Sequence, residues 1–242
     1  MINDTHPAGV VAVIPARGGS KAIPHKNIVQ LGRWPLIAWT IKAALEAEYI
    51  DRIIVSTEDS GIAEVVREYH VEVMARPQNL SGDDIPATQV VKHVLEELKD
   101  PAGTYPHIVT MLLPTSPFRT AGQIDNSILA VRDSTAKSVI GVRENAPLIS
   151  LRYIREMRLE PVTEGGGKGA FGLNDLQSKD TEMIWAVNGA IFTAWSEDFL
   201  WEKGFHIKGA VPLPMDPISS INIDSQGDLE LAHRVASSVE QL

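Results

Sequence analysis

Apolar positions along the chain follow two alternating periods. Val10–Ile14 is an unbroken run of β-branched and small apolar residues that enters a loop containing proline and glycine, as a strand buried on both faces of a parallel sheet does. From Pro35 the period changes. Leu36, Ile37, Thr40, Ile41, Ala44 and Leu45 recur at helical spacing behind a proline suited to the first turn. The same alternation predicts strands at Ile53–Ser56, Val71–Met74, Ile108–Leu113 and Ser138–Val142, with helices at Gly61–Tyr69, Ala87–Leu98 and Gln123–Val131. Strand and helix in turn, joined by short connections, predict an α/β fold with a doubly wound, mostly parallel sheet.

The rhythm breaks near Pro147. The segment to about Met183 carries Gly165-Gly166-Gly167-Lys168-Gly169 and reads as an insertion, part mobile loop and part small sheet. Core patterning resumes with strands at Ala186–Thr193 and Ile221–Ile223. A last helix follows from Ser225 to Val239, started by a capping box of Ser225 with Asp228. The expected organisation is a nucleotide-binding α/β core over 1–146, an insertion over 147–184, and completion of the core with a C-terminal helix over 185–242.

Composition narrows the chemistry. Of 242 residues, 44% are hydrophobic and 22% charged, which excludes collagen-like, mucin-like and largely disordered chains. The absence of cysteine removes disulfides, thiolate zinc sites, iron–sulfur clusters and cysteine nucleophiles. Lys+Arg 22 against Asp+Glu 31 gives a net charge of −9, which argues against nucleic-acid binding but leaves room for a local basic cluster. No stretch approaches the ~20 apolar residues of a membrane span, and Met1–Gly9 lacks a signal-peptide pattern, so the expectation is a cytoplasmic protein without membrane contact. The seven histidines are scattered without metal-ligand spacing, and Ser116 lacks a nucleophile elbow. Trp34 and Trp39, which flank a helix start, read as packing or interface residues and not as ligand platforms.

The richest stretch runs from Pro15 to Asn27, directly after the first strand: Pro-Ala-Arg-Gly-Gly-Ser-Lys-Ala-Ile-Pro-His-Lys-Asn. Ligands of open α/β sheets sit beyond the carboxyl ends of the strands, which is where this loop falls. Gly18 and Gly19 permit close backbone approach, Ser20 adds a hydroxyl, and Arg17, Lys21 and Lys26 bring three cations to an acidic chain. Such a loop suits a polyphosphate. The alternative is a glycine turn with solvated charges, since neither a P-loop nor Gly-x-Gly-x-x-Gly is present.

This loop, Pro35-Leu36-Ile37, Val55-Ser56-Thr57-Glu58-Asp59, Ala75-Arg76-Pro77, Leu113-Pro114-Thr115-Ser116-Pro117-Phe118-Arg119 and Asn188-Gly189-Ala190-Ile191-Phe192 resemble, in order and spacing, the acylneuraminate cytidylyltransferases, or CMP-sugar-acid synthetases. The resemblance implies a Rossmann-like nucleotidyltransferase whose insertion is an arm or lid used for acceptor binding and dimerisation. It further implies a homodimer that takes CTP, Mg²⁺ and an anionic acceptor and gives a CMP-linked product and pyrophosphate. Carried over to this chain, the CTP set is Ala16, Arg17, Gly18, Gly19, Ser20, Lys26, Asn27 and Arg76. Arg17 and Lys26 face charge developing at the α-phosphorus, while Asn27 and Arg76 contact cytosine or ribose.

The family's Asp-x-Asp metal motif falls on Asn222 and Asp224. Two carboxylates one residue apart on a strand share a cation, and here one charge is missing, so Asp224 is the expected Mg²⁺ ligand with Asn222 as a neutral oxygen. The alternative for Asp224 is capping of the last helix. The expected acceptor set is Thr115, Arg119, Lys168 and Asn188. Leu113 stands where sialic acid synthetases carry Gln, and Ala186 and Val187 stand near where they carry an arginine. N-acetylneuraminate is therefore expected to be a poor substrate, with an atypical sugar acid or a compact phosphonate-like acid as the acceptor. A catalytically silent nucleotide-binding protein is the reading from a different class.

Overall fold

The structure, a computed structural model, describes residues 9–145, 152–155, 158–161 and 184–239. In chain order the elements begin with β1 (Val10–Pro15), the short pair β2 (Gln30–Leu31) and β3 (Trp34–Pro35), and α1 (Leu36–Glu46). There follow β4 (Arg52–Thr57), α2 (Ser60–Arg67), β5 (Glu72–Ala75), α3 (Ala87–Glu97), β6 (Ile108–Met111), α4 (Ala121–Arg132) and β7 (Ser138–Asn145). The hairpin strands β8 (Arg152–Arg155) and β9 (Arg158–Pro161), then β10 (Ile184–Trp195), α5 (Ser196–Glu202), β11 (Val211–Pro214) and α6 (Gln226–Val239), complete the chain.

The main sheet has seven strands in the order β11-β7-β10-β6-β1-β4-β5. All its pairings are parallel except those of β10, which runs antiparallel between β6 and β7. The doubly wound, mostly parallel sheet read from the hydrophobic pattern is thus present. In β1, Val10, Ala12 and Ile14 pack with α1, α2 and α4, while Val11 and Val13 face α3 and Phe199 of α5. Successive side chains of a strand point to opposite faces, so burying both produces the continuous apolar run seen in the sequence.

A third cluster lies beside the sheet. Leu31, Leu36, Trp39 and Phe118 pack there against Ile223 and, from α6, Leu229, Ala232 and Ala236. Trp39 stacks edge-on with Trp34 and Phe118 at centroid distances of 5.0 and 5.3 Å, and its Nε1 donates to Leu31 O at 3.0 Å. The tryptophans are packing residues that seat α6.

One expectation is corrected here. Ile221–Ile223 is not a strand: Ile223 N–H donates to Thr115 O at 2.8 Å and its side chain is buried in the third cluster. The edge position belongs to β11, Val-Pro-Leu-Pro, whose prolines weaken the strand signal but are tolerated on an edge. The seven-residue α5 was not anticipated. Of the insertion, the antiparallel β8–β9 pair is described, whereas the Gly165–Gly169 run with Lys168 lies outside the described residues. Among the described residues no helix is long and apolar enough to cross a membrane.

Candidate active site

The carboxyl ends of β1, β5, β6 and β7 border a cleft of about 730 Å³. Its lining includes Arg17, Gly19, Ser20, Lys26, Asn27, Arg76, Thr115, Asn188, Asn222 and Asp224, so ten of the residues expected from the sequence meet in one place.

The glycine loop is held by its neighbours. Ala16 is buried and its N–H donates to Ser56 O at 3.0 Å. Gly18 N–H donates to Glu58 Oε1 at 2.8 Å, and a Cβ at Gly18 would come within 2.8 Å of Asp59 Cβ. Asp59 is the N-cap of α2 and accepts from Ile62 N at 2.9 Å. Gly18 is therefore glycine because the loop lies on that cap, and Gly19, which has open space around its Cβ position, is the one facing the cleft. Asn27 is buried and donates from Nδ2 to Arg17 O at 2.8 Å, bracing the loop from behind.

Opposite charges are already engaged across this end of the cleft. Arg17 and Lys21 both bind the carboxylate of Asp83, Lys21 at 2.6 Å. Hydrogen bonds from Lys21 and then Arg17 hold the Asp83 carboxyl below its ordinary range. Arg76, buried at the end of β5, donates to Ser56 O at 2.6 Å and has Nε 3.8 Å from Glu58 Oε2. Burial lowers its pKa, the Glu58 carboxylate opposes that, and Arg17 adds to it. Neither Arg76 Nε nor Glu58 Oε2 has a hydrogen-bond partner. Asp83 was missed in the sequence because a Ser-Gly-Asp-Asp loop reads as solvated.

The run Ser220–Asp224 is strung between Thr115 O and Lys26, whose Nζ donates to Ile223 O at 3.0 Å and lies 3.3 Å from Asp224 Oδ1. Asn222 Nδ2 donates to Asp224 Oδ2. The capping role belongs elsewhere: Ser225 N donates to Asp228 Oδ2 at 2.8 Å and Asp228 N returns to Ser225 Oγ at 3.3 Å. The Ser225–Asp228 box forms, and the Asp224 carboxylate is left facing the cleft. The Asp216 carboxylate is fully used by Ile218 N, Ser219 N, Ser219 Oγ and Gln123 Nε2.

The expected acceptor residues separate. Thr115 lines the cleft. Asn188 does too, but its Oδ1 accepts from Ala190 N and its Nδ2 donates to Ser220 Oγ, both at 3.0 Å, so its amide joins β10 to the loop before α6. The adjacent Gly189 has φ +77, a left-handed backbone that favours glycine, and sits between Leu113, Ser116 and Asn222. Arg119 is a correction. It is buried and donates to Ala190 O at 2.9 Å, Thr40 Oγ1 at 2.6 Å and Leu113 O, and it does not line the cleft. Burial lowers its pKa to about 9, which leaves the guanidinium charged at neutral pH as a brace. Arg143 of β7, which the sequence reading passed over, lines the cleft beside Leu113 and Val187.

The description "Cytidylyltransferase" attaches to a family model that matches residues 11–149, more than half of the chain and the whole stretch carrying β1 to β7. The chain belongs to the cytidylyltransferase family. Among curated members it is 32% identical over 229 residues to the CMP-N,N'-diacetyllegionaminic acid synthase of Legionella pneumophila, covering 93% of this chain and 95% of that one. It is 30% identical over 226 residues to the N-acylneuraminate cytidylyltransferase of Escherichia coli, covering 92% of this chain but 51% of that longer protein. The chain thus spans about half of some cytidylyltransferases it matches and nearly all of another. A solved CMP:2-keto-3-deoxy-manno-octonic acid synthetase complexed with CTP superposes with a TM-score of 0.66 at 15% identity, covering 96% of this chain and 98% of that one, a likeness of fold.

Proposed function

We propose that this cytidylyltransferase transfers CMP from CTP to a sialic-acid-like sugar acid with release of pyrophosphate, as a Mg²⁺-dependent cytoplasmic homodimer. The observation that carries the reading is the convergence of Arg17, Lys26 and Arg76 on one cleft at the carboxyl edge of the sheet. An acceptor oxygen that has given its proton to solvent attacks the α-phosphorus in line; the new O–P bond forms as the bond to the β-phosphate oxygen breaks, and pyrophosphate leaves with that electron pair. Arg17 and Lys26 hold the triphosphate and meet the charge that builds in the transition state, with Ser20 as a neutral donor. Arg76 and Asn27 support the nucleoside end.

Mg²⁺ commonly uses one or two carboxylates together with substrate phosphates. Asp224, exposed toward the cleft, with the Asn222 amide beside it, fits that pattern, whereas no group of three or more acidic or histidine side chains is placed to hold a metal among the described residues. Bound there, the ion would offset phosphate charge and ease departure of pyrophosphate. The compact-phosphonate reading leaned on Arg119 and Lys168. Arg119 is turned into the protein and lends that reading no support, while Lys168 lies outside the described residues.

Thermal melting tests the nucleotide. CTP with Mg²⁺ at about 100 times Kd should stabilise by roughly 2.7 kcal/mol, or about 5–10 °C for a chain of this size, and ATP by far less. Equal shifts would remove the assignment. Pyrophosphate release from CTP with N,N'-diacetyllegionaminate and N-acetylneuraminate tests the transfer, and light scattering tests the dimer.

A further inference from the structure

One end of the cleft lies away from the glycine loop and its cations. Arg143 lies near the carboxyl end of β7, and β10 and β6 stand between β7 and β1. At ~4.8 Å per strand it is roughly 14 Å along the sheet edge from the strand that leads to Arg17. It is exposed and lines the cleft with Leu113, Val187 and Asn188. Its cross-strand partner is Ala186, whose methyl group leaves room beside a guanidinium.

The other cleft cations each face an acid: Arg17 has Asp83, Lys26 has Asp224, and Arg76 has Glu58. Among the described residues Arg143 has no ion-pair partner. A planar fork of donors that no acid among the described residues engages, set at the mouth of a cleft against an apolar wall, suits one carboxylate held in two parallel hydrogen bonds. The wall itself, Leu113 and the half-exposed Val187, has no side-chain donor or acceptor for hydroxyls, but it can cover methyl groups.

We propose that Arg143 anchors the carboxylate of the acceptor, and that Leu113 and Val187 lie against its apolar substituents, favouring a di-N-acylated sugar acid over a more hydroxylated one. The assignment rests on the cytidylyltransferase reading. It makes Arg143 a specificity-determining residue, remote from the reacting phosphorus.

The test pairs a variant with a modified acceptor. Pyrophosphate release is measured for wild type, Arg143→Ala and Arg143→Lys with N,N'-diacetyllegionaminate and with its methyl ester, which lacks the charge. Wild type should prefer the acid. Arg143→Ala should raise KM for the acid roughly 10- to 100-fold, the range of a lost charged hydrogen bond, and leave the ester unchanged. Arg143→Lys should recover part of the preference. The CTP-induced melting shift should be the same in all three proteins. An Arg143→Ala protein that still prefers acid over ester by the wild-type factor overturns the assignment. A wild type that shows no CTP shift overturns the cytidylyltransferase reading itself.

Discussion

Beneath β1 and β5 the cleft is lined by charges that already face partners on other loops, Arg17 on Asp83, Arg76 on Glu58 and Lys26 on Asp224. Beneath β6, β10 and β7 it is lined, among the described residues, by Leu113, Val187, Asn188 and one cation, Arg143. The first arrangement is assembled before any ligand arrives, because each cation is oriented by an acid that a phosphate can replace. The second discriminates by shape and one charge. A nucleotide varies little and rewards a rigid, highly charged cradle, whereas the acceptor end can change its preference by altering a few side chains on β6, β7 and β10.

The contrast is broken most severely from behind. Arg119 ties Leu113 O and Ala190 O to Thr40, so Arg119→Met removes the guanidinium from all three under the acceptor end and leaves Leu113 O with the Ser116 N–H at 3.3 Å. A loss of about 3–5 kcal/mol and a fall in Tm of roughly 6–20 °C are expected in thermal or urea melts. If Tm moved by less than 2 °C, Arg119 would not be the brace described. Arg17→Ala should instead leave Tm nearly unchanged and lower kcat on the order of 10²-fold or more, much more than it weakens CTP binding, since its charge acts mainly on the transition state. Turnover within a few-fold of wild type would reduce Arg17 to a surface cation.

Two smaller effects sharpen the picture. Asp228→Ala removes the cap of α6, which seats Ile223 and the Asn222–Asp224 run, and should cost about 1 kcal/mol, or about 2–4 °C. Hydrogen bonds, first from the Ser225 hydroxyl and then from the Ser225 and Asp224 amides, hold the Asp228 carboxyl below its ordinary 3.8. A depressed folded pKa means the cap contributes fully at neutral pH and is lost as pH falls below that value. The difference between variant and wild type should therefore shrink in acid melts, and a constant difference would rule out the carboxylate as the cap. Asp83→Asn releases Arg17 and Lys21 and should tighten CTP binding roughly two- to five-fold, the scale of partly exposed ion pairs. Weaker binding would mean that Asp83 positions those cations and does not compete with phosphate.

What was legible in the sequence follows the same division. The glycine loop could be read because its residues are contiguous and follow a strand with an unmistakable apolar run. Ile221–Ile223 was misread because Ile-Asn-Ile-Asp alternates like a strand, while its isoleucines and N–H groups are claimed by Trp39, α6 and Thr115, which are distant in sequence. Arg119 looked like a loop cation because its three acceptors come from β10, α1 and the loop after β6. Arg143 carried no local signal, since an arginine near a strand end is ordinary and only the sheet order brings it to the cleft. Val211–Pro214 was missed because two prolines argue against a strand unless it lies at an edge.

The antiparallel β10 also sets the order in which a nascent chain becomes whole. β7 pairs only with β10 and β11, and β6 has β10 on its outer side, Met111 opposite Phe192. A polypeptide emerging from the ribosome can join β5, β4, β1 and β6 early, but β7 has no strand to join until residues 184–195 are made. Through that interval the outer edge of β6 stays bare, an apolar template for another chain. Premature termination anywhere between β7 and β10 therefore yields a glycine loop already built onto β1 and a sticky sheet edge in place of an acceptor site, a product fit for chaperones or proteases.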